Sequence, residues 1–272
     1  MIPLDTRPLF PLERQALLDL LVSLGSTDWA APTVCPGWDV HDVTAHILND
    51  YLRRISASRD GHASAVFPDD ETLPTYLARI NDEFVRAMRQ CSPHTMIDLL
   101  THLGPQLDAV WAVAELTGPA HLNVSWAGTG TSPAWLDIAR EYTEFWVHQQ
   151  QIRDAVSSPG ADGVALLRPV LIAFLHAVPF ALRDQHRPRG MAVRFEITGP
   201  AGGRWAAISD GARWDLTSAP VEDPAASVCM DQDTVWRLAS RGITIEEGRQ
   251  RAELRGDREL AEAAAALLAV VL

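Results

Sequence analysis

Leucines recur at helical spacing through LERQALLDLLVSLG, and the pattern stops at Gly25. Pro32, Pro36 and Gly37 break any regular element in DWAAPTVCPGW, which reads as a loop. Asp39 has the character of an N-cap, with Asp42 favouring the first turn, and the spacing predicts a helix from about Val40 to about Ser58. A polar loop is expected from about Asp60 to Thr72. Helical patterns follow in TYLARINDEFVRAMRQ and TMIDLLTHLGPQLDAVWAVAEL. Ser132 and Pro133 make a helix start, with Ser as N-cap and Pro at the first position. That helix is predicted to continue to about Val156, where Ser157, Ser158, Pro159 and Gly160 end it. One more helix, from about Val164 to Asp184, is apolar on most sides and predicted to be buried.

The period changes after RDQHRPRG. MAVRFEITG, RWAAISD, ARWDLTS and ASVCMD alternate as short strands do, separated by turns containing Gly and Pro. DTVWRLASRG then reads as a short helix, QRAELRG as a strand, and DRELAEAAAALLAVVL as a closing core helix capped near Asp257. The expected division is a helical region over residues 1–187 and a small α+β region over 188–272, a size that can fold alone.

A net charge of -12 argues against nucleic acid and against an anionic membrane surface, both of which call for clustered positive charge. No signal peptide is recognisable in MIPLDTRPLF, and no run has the length and flanks of a membrane span. Three scattered cysteines, Cys35, Cys91 and Cys229, suit neither a disulfide framework nor a CxxC metal site. A reducing, cytoplasmic setting follows as the expectation. All basic residues are arginine, which reads as the coding bias of a GC-rich genome.

The segment REYTEFWVHQQQIRD carries candidate chemistry. Glu141, Glu144, His148 and Gln151 recur at helical spacing and share one face. Glu144 and His148, four apart, offer an oxygen and a nitrogen to one borderline divalent metal such as zinc. The competing reading is a solvated polar stripe, but Phe145, Trp146, Val147 and Ile152 leave few faces of that helix wet. His46 lies two turns into the predicted helix of VHDVTAHILNDYLRR, among apolar neighbours, where a satisfied core histidine is the alternative to a ligand. Asp42 and Asp50, four residues either side, are candidates to accept its second N–H. Cys35, in the loop entering that helix, is a candidate ligand or reactive thiol. Cys91 and Cys229 read as structural. Hydrolase, nucleotide-binding and metalloprotease motifs of the GxSxG, GxGxxG, P-loop and HExxH kinds are missing from the sequence.

DWAAPTVCPGWDVHDVTAHIL together with EYTEFWVHQQQIRDA resembles the mycothiol-dependent maleylpyruvate isomerase family, within the wider DinB-like metalloprotein group. TVWRLASRG and LRGDRELA are similar to the sterol-carrier-like domain that follows in such proteins. The resemblance implies a four-helix bundle followed by that α+β domain, with His46, Glu144 and His148 as metal ligands. It also implies mycothiol as thiol cofactor or co-substrate, a small electrophile as substrate, and an activity-associated arginine in the second domain. Arg241 is the candidate for that arginine and Arg237 its rival. Two histidines and one carboxylate leave a tetrahedral ion one place for an exogenous donor. The expected reaction is cis–trans isomerisation or S-transfer. A metal-dependent hydrolase and a non-catalytic small-molecule binding protein are the alternatives.

Overall fold

Capping and apolar spacing agree along most of the chain, and helices form where they do. The computed structural model describes residues 2–62, 72–128 and 130–269, apart from the side chains of 73 and 74. Helix α1 (Phe10–Ser23) buries Phe10, Leu17, Leu20 and Leu21 on one side. A single turn, α2 (Ser26–Trp29), follows. Helix α3 (Val40–Arg54) starts where Asp39 accepts the backbone N–H of Asp42, and its last turn widens over Ile55–Arg59. Thr72 caps α4 (Leu73–Met88) and Ser92 caps α5 (Pro93–Ala112) in the same way. Most of the polar loop expected between α3 and α4 lies outside the described residues.

Helix α6 (Ala134–Ala155) supplies the largest buried side chains, among them Tyr142, Phe145 and Trp146. The Phe10 ring stacks on Trp111 of α5 at 5.6 Å and meets Tyr142 and Phe145 of α6 edge-on at 5.7 and 6.0 Å. Tyr51 of α3 meets Phe145 at 4.9 Å. One aromatic cluster thus joins α1, α3, α5 and α6.

The apolar stretch expected as one helix to Asp184 is instead two, α7 (Val164–Leu175) and α8 (Val178–Ala181). Pro179 explains the break, because its ring would clash with the carbonyl four residues back, at Leu175. By length and composition Val164–Ala181 could cross a membrane, which the sequence reading did not allow for. Half of it is buried.

The C-terminal region holds a five-stranded sheet in the order β3-β2-β1-β4-β5. Its strands are β1 (Ala192–Thr198), β2 (Gly203–Ser209), β3 (Trp214–Thr217), β4 (Ala226–Asp231) and β5 (Glu253–Gly256). Only the central β1–β4 pair is parallel. Helix α9 (Gln232–Ala239) starts at an Asp231 cap. It contacts β1 and β4, as does α11 (Arg258–Ala264), which Asp257 caps. Between them, α10 (Ile245–Arg251) occupies residues partly expected in strand β5. Its signal was a capping box of Thr244 and Glu247. The closing helix also stops early: residues 266–269 are irregular although Leu267 and Ala269 are buried, and the last three lie outside the described residues.

The residues gather into two compact units. One holds Thr6–Glu115 and Glu141–Asp162; the other holds Leu116–Arg140 and the described chain from Gly163 onward. Residues 163–187 thus gather with the sheet, whereas the sequence pattern grouped them with the bundle. The division at 187/188 is kept below as a proposal about where the chain can be cut.

Candidate metal centre

Three polar side chains converge within the bundle. His46 is carried inward by α3, whose residues from Thr44 to Leu48 are all buried. Glu144 and His148 sit one turn apart on α6, on the only strip of that turn not filled by Tyr142, Phe145, Trp146 and Val147. Glu144 Oε1 lies 3.5 Å from His46 Nε2 and 3.1 Å from His148 Nε2. One ligand atom from each residue falls within 4.8 Å of the other two. The two rings meet nearly at right angles, 4.7 Å between centroids. His46 is buried, while Glu144 and His148 are partly exposed, so an outside molecule can reach the cluster.

Electrostatics tie the three together. Burial alone would raise the Glu144 pKa, but hydrogen bonding with His148 and His46 holds it well below the usual carboxylate range. Burial would lower that of His148, but hydrogen bonding with Cys35 and with Glu144 lifts it well above the usual histidine range. Both shifts favour the charged forms, a carboxylate on Glu144 beside an imidazolium on His148. The donor set, two imidazole nitrogens and one carboxylate oxygen, is that of zinc and similar divalent ions.

The family model of the mycothiol maleylpyruvate isomerase N-terminal domain matches residues 10–153, the stretch that contains all three residues. The chain belongs to that family. Membership indicates an enzyme, since the family is named for an isomerase that works with mycothiol. Among solved structures, the chain is similar to crystal structures of the mycothiol-dependent maleylpyruvate isomerase. A histidine-to-alanine mutant shares 14% identity at a TM-score of 0.54, covering 91% of this chain and 90% of that one. A second structure shares 15% at 0.53, covering 87% and 88%. At that identity they support the fold: a helical region followed by a sheet domain. No curated protein sequence matches the chain.

The surroundings of the three family-matched residues correct part of the sequence reading. Neither flanking aspartate accepts a second N–H from His46. Arg89 holds Asp42 through two hydrogen bonds of 2.9 and 2.7 Å. Asp50 Oδ2 approaches Nε2, the nitrogen that already faces Glu144, at 3.7 Å. His46 Nδ1 is buried with no partner among the described residues. Burial, with Glu141 and Glu144 nearby, raises the Asp50 pKa. Glu141 points to Arg54, not to the cluster, and both are buried. A second acidic group, Asp39 with His41 and Asp42, has local explanations. Asp39 caps α3, Asp42 pairs with Arg89, and His41 Nε2 lies 2.9 Å from the Cys91 carbonyl oxygen.

Of the cysteines, Cys35 approaches the cluster, its Sγ 3.2 Å from Gln151 Oε1. All three are free thiols. Arg241 and Arg237 belong to the other compact unit. Arg237 is held by Asp233 and lies over Trp236. Arg241 follows α9 at φ 63°, uncommon for a residue with a Cβ, and lines a cavity of about 390 Å³ with Trp126, Phe180 and Arg183.

Proposed function

We propose that this chain is a metal- and mycothiol-dependent enzyme acting on a small electrophile, by cis–trans isomerisation, with His46, Glu144 and His148 holding a divalent ion such as zinc. The observation that carries the reading is the convergence of those three donors inside the segment that the family model matches. Three protein ligands are the pattern of catalytic zinc sites, which keep a position open, whereas structural sites close with four. The partial exposure of Glu144 and His148 fits an open position.

A divalent ion held by His46, Glu144 and His148 would lower the pKa of a thiol bound to it, supplying a nucleophile for reversible addition to a conjugated double bond or for S-transfer. This chain's own residues supply the rest. Glu144, ionised despite burial, offsets the charge of a cation. The apolar neighbours Ile47, Phe145 and Val147 keep the donor atoms on one side. We assign Arg241, the arginine that the family resemblance suggests, to the binding of an anionic substrate group, because it borders a cavity. A cytoplasmic location fits a low-molecular-weight thiol as partner and the unpaired cysteines.

Cobalt substitution tests the proposal. Adding mycothiol to the cobalt form should produce a sulfur-to-metal charge-transfer band, absent in His148→Ala, and the loaded enzyme should isomerise maleylpyruvate only when thiol is present. Activity without thiol would point to a hydrolase using bound water. An unchanged cobalt spectrum at saturating thiol would overturn the thiol-dependent reading. Covalent thiol–substrate product would favour S-transfer at the same site.

A further inference from the structure

We infer that Gln151 is a positioning residue of this centre, holding His148 with its proton on Nδ1 so that Nε2 is free for a metal. The inference rests on the metal-site reading above. Gln151 lies three residues after His148 on α6, on the same face, and is buried. Its Oε1 is 2.7 Å from His148 Nδ1, shorter than the 3.1 Å between His148 Nε2 and Glu144.

The chemistry of the contact sets the direction. A carbonyl oxygen only accepts, so the ring nitrogen facing it carries hydrogen. The Cys35 thiol lies 3.2 Å from the same oxygen, which takes it as a second donor. A reversed amide would turn N–H toward His148 Nδ1. It would then stabilise the tautomer with hydrogen on Nε2, which cannot bind a metal. A neutral imidazole has one ring hydrogen, so fixing it on Nδ1 leaves the lone pair on Nε2, the atom 3.1 Å from Glu144. His46 lacks such a partner: its Nδ1 is bare among the described residues. Of the two histidines, only His148 has a neighbour on Nδ1 among the described residues.

Metal-ligating histidines owe ring orientation and basicity to such partners, and losing one typically costs about 10–100-fold in metal affinity. The test is zinc affinity by competition with a chromophoric chelator, in wild type, Gln151→Leu and Gln151→Glu, with His148→Ala as reference. Gln151→Leu, close in volume but without an acceptor, should bind zinc 10–100-fold more weakly while keeping its circular dichroism. Gln151→Glu restores an acceptor and should recover most of that loss. The His148 Nδ1–H resonance of the zinc form should be sheltered from exchange in wild type and lost from the spectrum in Gln151→Leu. Wild-type affinity in Gln151→Leu would overturn the inference. Equal losses in both Gln151 variants would do so too, since they indicate a packing role. Wild-type affinity in His148→Ala would instead refute the metal site itself, and the inference with it.

Discussion

Arg54 grips Glu141 with two hydrogen bonds, 3.1 Å from Nε and 2.9 Å from Nη2, and both side chains are buried. Glu141 lies one turn before Glu144 on the same face of α6, so sequence spacing alone leaves either as a ligand for the His46–His148 pair. The Arg54 clamp separates them. His46→Ala, Glu144→Ala and His148→Ala should each lose bound metal with the bundle still helical. Glu141→Ala should keep its metal but lose stability, on the order of 3–5 kcal/mol, because a buried guanidinium loses its two hydrogen bonds to a carboxylate. Elemental analysis beside thermal denaturation distinguishes the two phenotypes. Full metal occupancy in all three ligand variants would refute the assignment.

Metal and proton compete for one place. His148 titrates above the usual range because Cys35 and Glu144 stabilise its charged form, and a metal must displace that proton. Zinc affinity should therefore weaken as pH falls through the raised His148 pKa, and binding should release protons into dilute buffer. Isothermal titration in buffers of different ionisation enthalpy measures the release. Affinity independent of pH would contradict the arrangement.

Glu13 gives the bundle a separate pH dependence. It is fully buried; its Oε1 accepts from Gln149 Nε2 at 2.7 Å, and its Oε2 has no partner among the described residues. Burial pushes its pKa from 4.5 up to about 7, against the pull of Gln149, Arg14 and Arg153; Tyr51 and Tyr142 face the same carboxyl. A carboxyl whose pKa is raised in the folded state supports folding while protonated. That contribution is complete below pH 4.5 and is lost as pH rises through about 7. Glu13→Gln keeps the acceptor for Gln149 and removes the charge. It should match wild type in stability near pH 4.5 and exceed it at pH 8 by up to about 3 kcal/mol. Urea unfolding at the two pH values checks this, and parallel pH profiles would rule it out.

Limited proteolysis should nick the chain between Arg187 and Gly190. Pro188, Arg189 and Gly190 are exposed and lie outside helix and strand. The N-terminal fragment carries the three ligands and should retain metal while losing most activity. Mass spectrometry of the first fragments decides it; early cleavage within Ala134–Ala155 would contradict the continuous helix that aligns Glu144 with His148.

Much of this protein was legible along the chain because much of it is local. Helix starts at Asp39 and Asp257 follow from side chains that reach N–H groups three residues away, and β1 to β4 follow from alternation. The i,i+4 relation of Glu144 and His148 is likewise a property of one helix. The family resemblance, not spacing, pointed to His46 as their companion. Folding alone decided that His46 Nε2 comes within 3.5 Å of Glu144 across 98 residues of chain, that Arg54 takes Glu141 and Arg89 takes Asp42, and that Gln151 and Cys35 meet. The contacts between α3 and α6 depend on how the two helices are rotated against one another, with Tyr51 packed on Phe145, and no periodicity in either helix contains that relation. The break at Leu175 and the helix α10 were written locally, in Pro179 and in the Thr244–Glu247 box, but there an apolar run and a short strand pattern competed with weaker signals. Sequence determines which faces must be buried and where elements begin; only tertiary packing decides which buried polar group answers which, because that choice is made by distance in space.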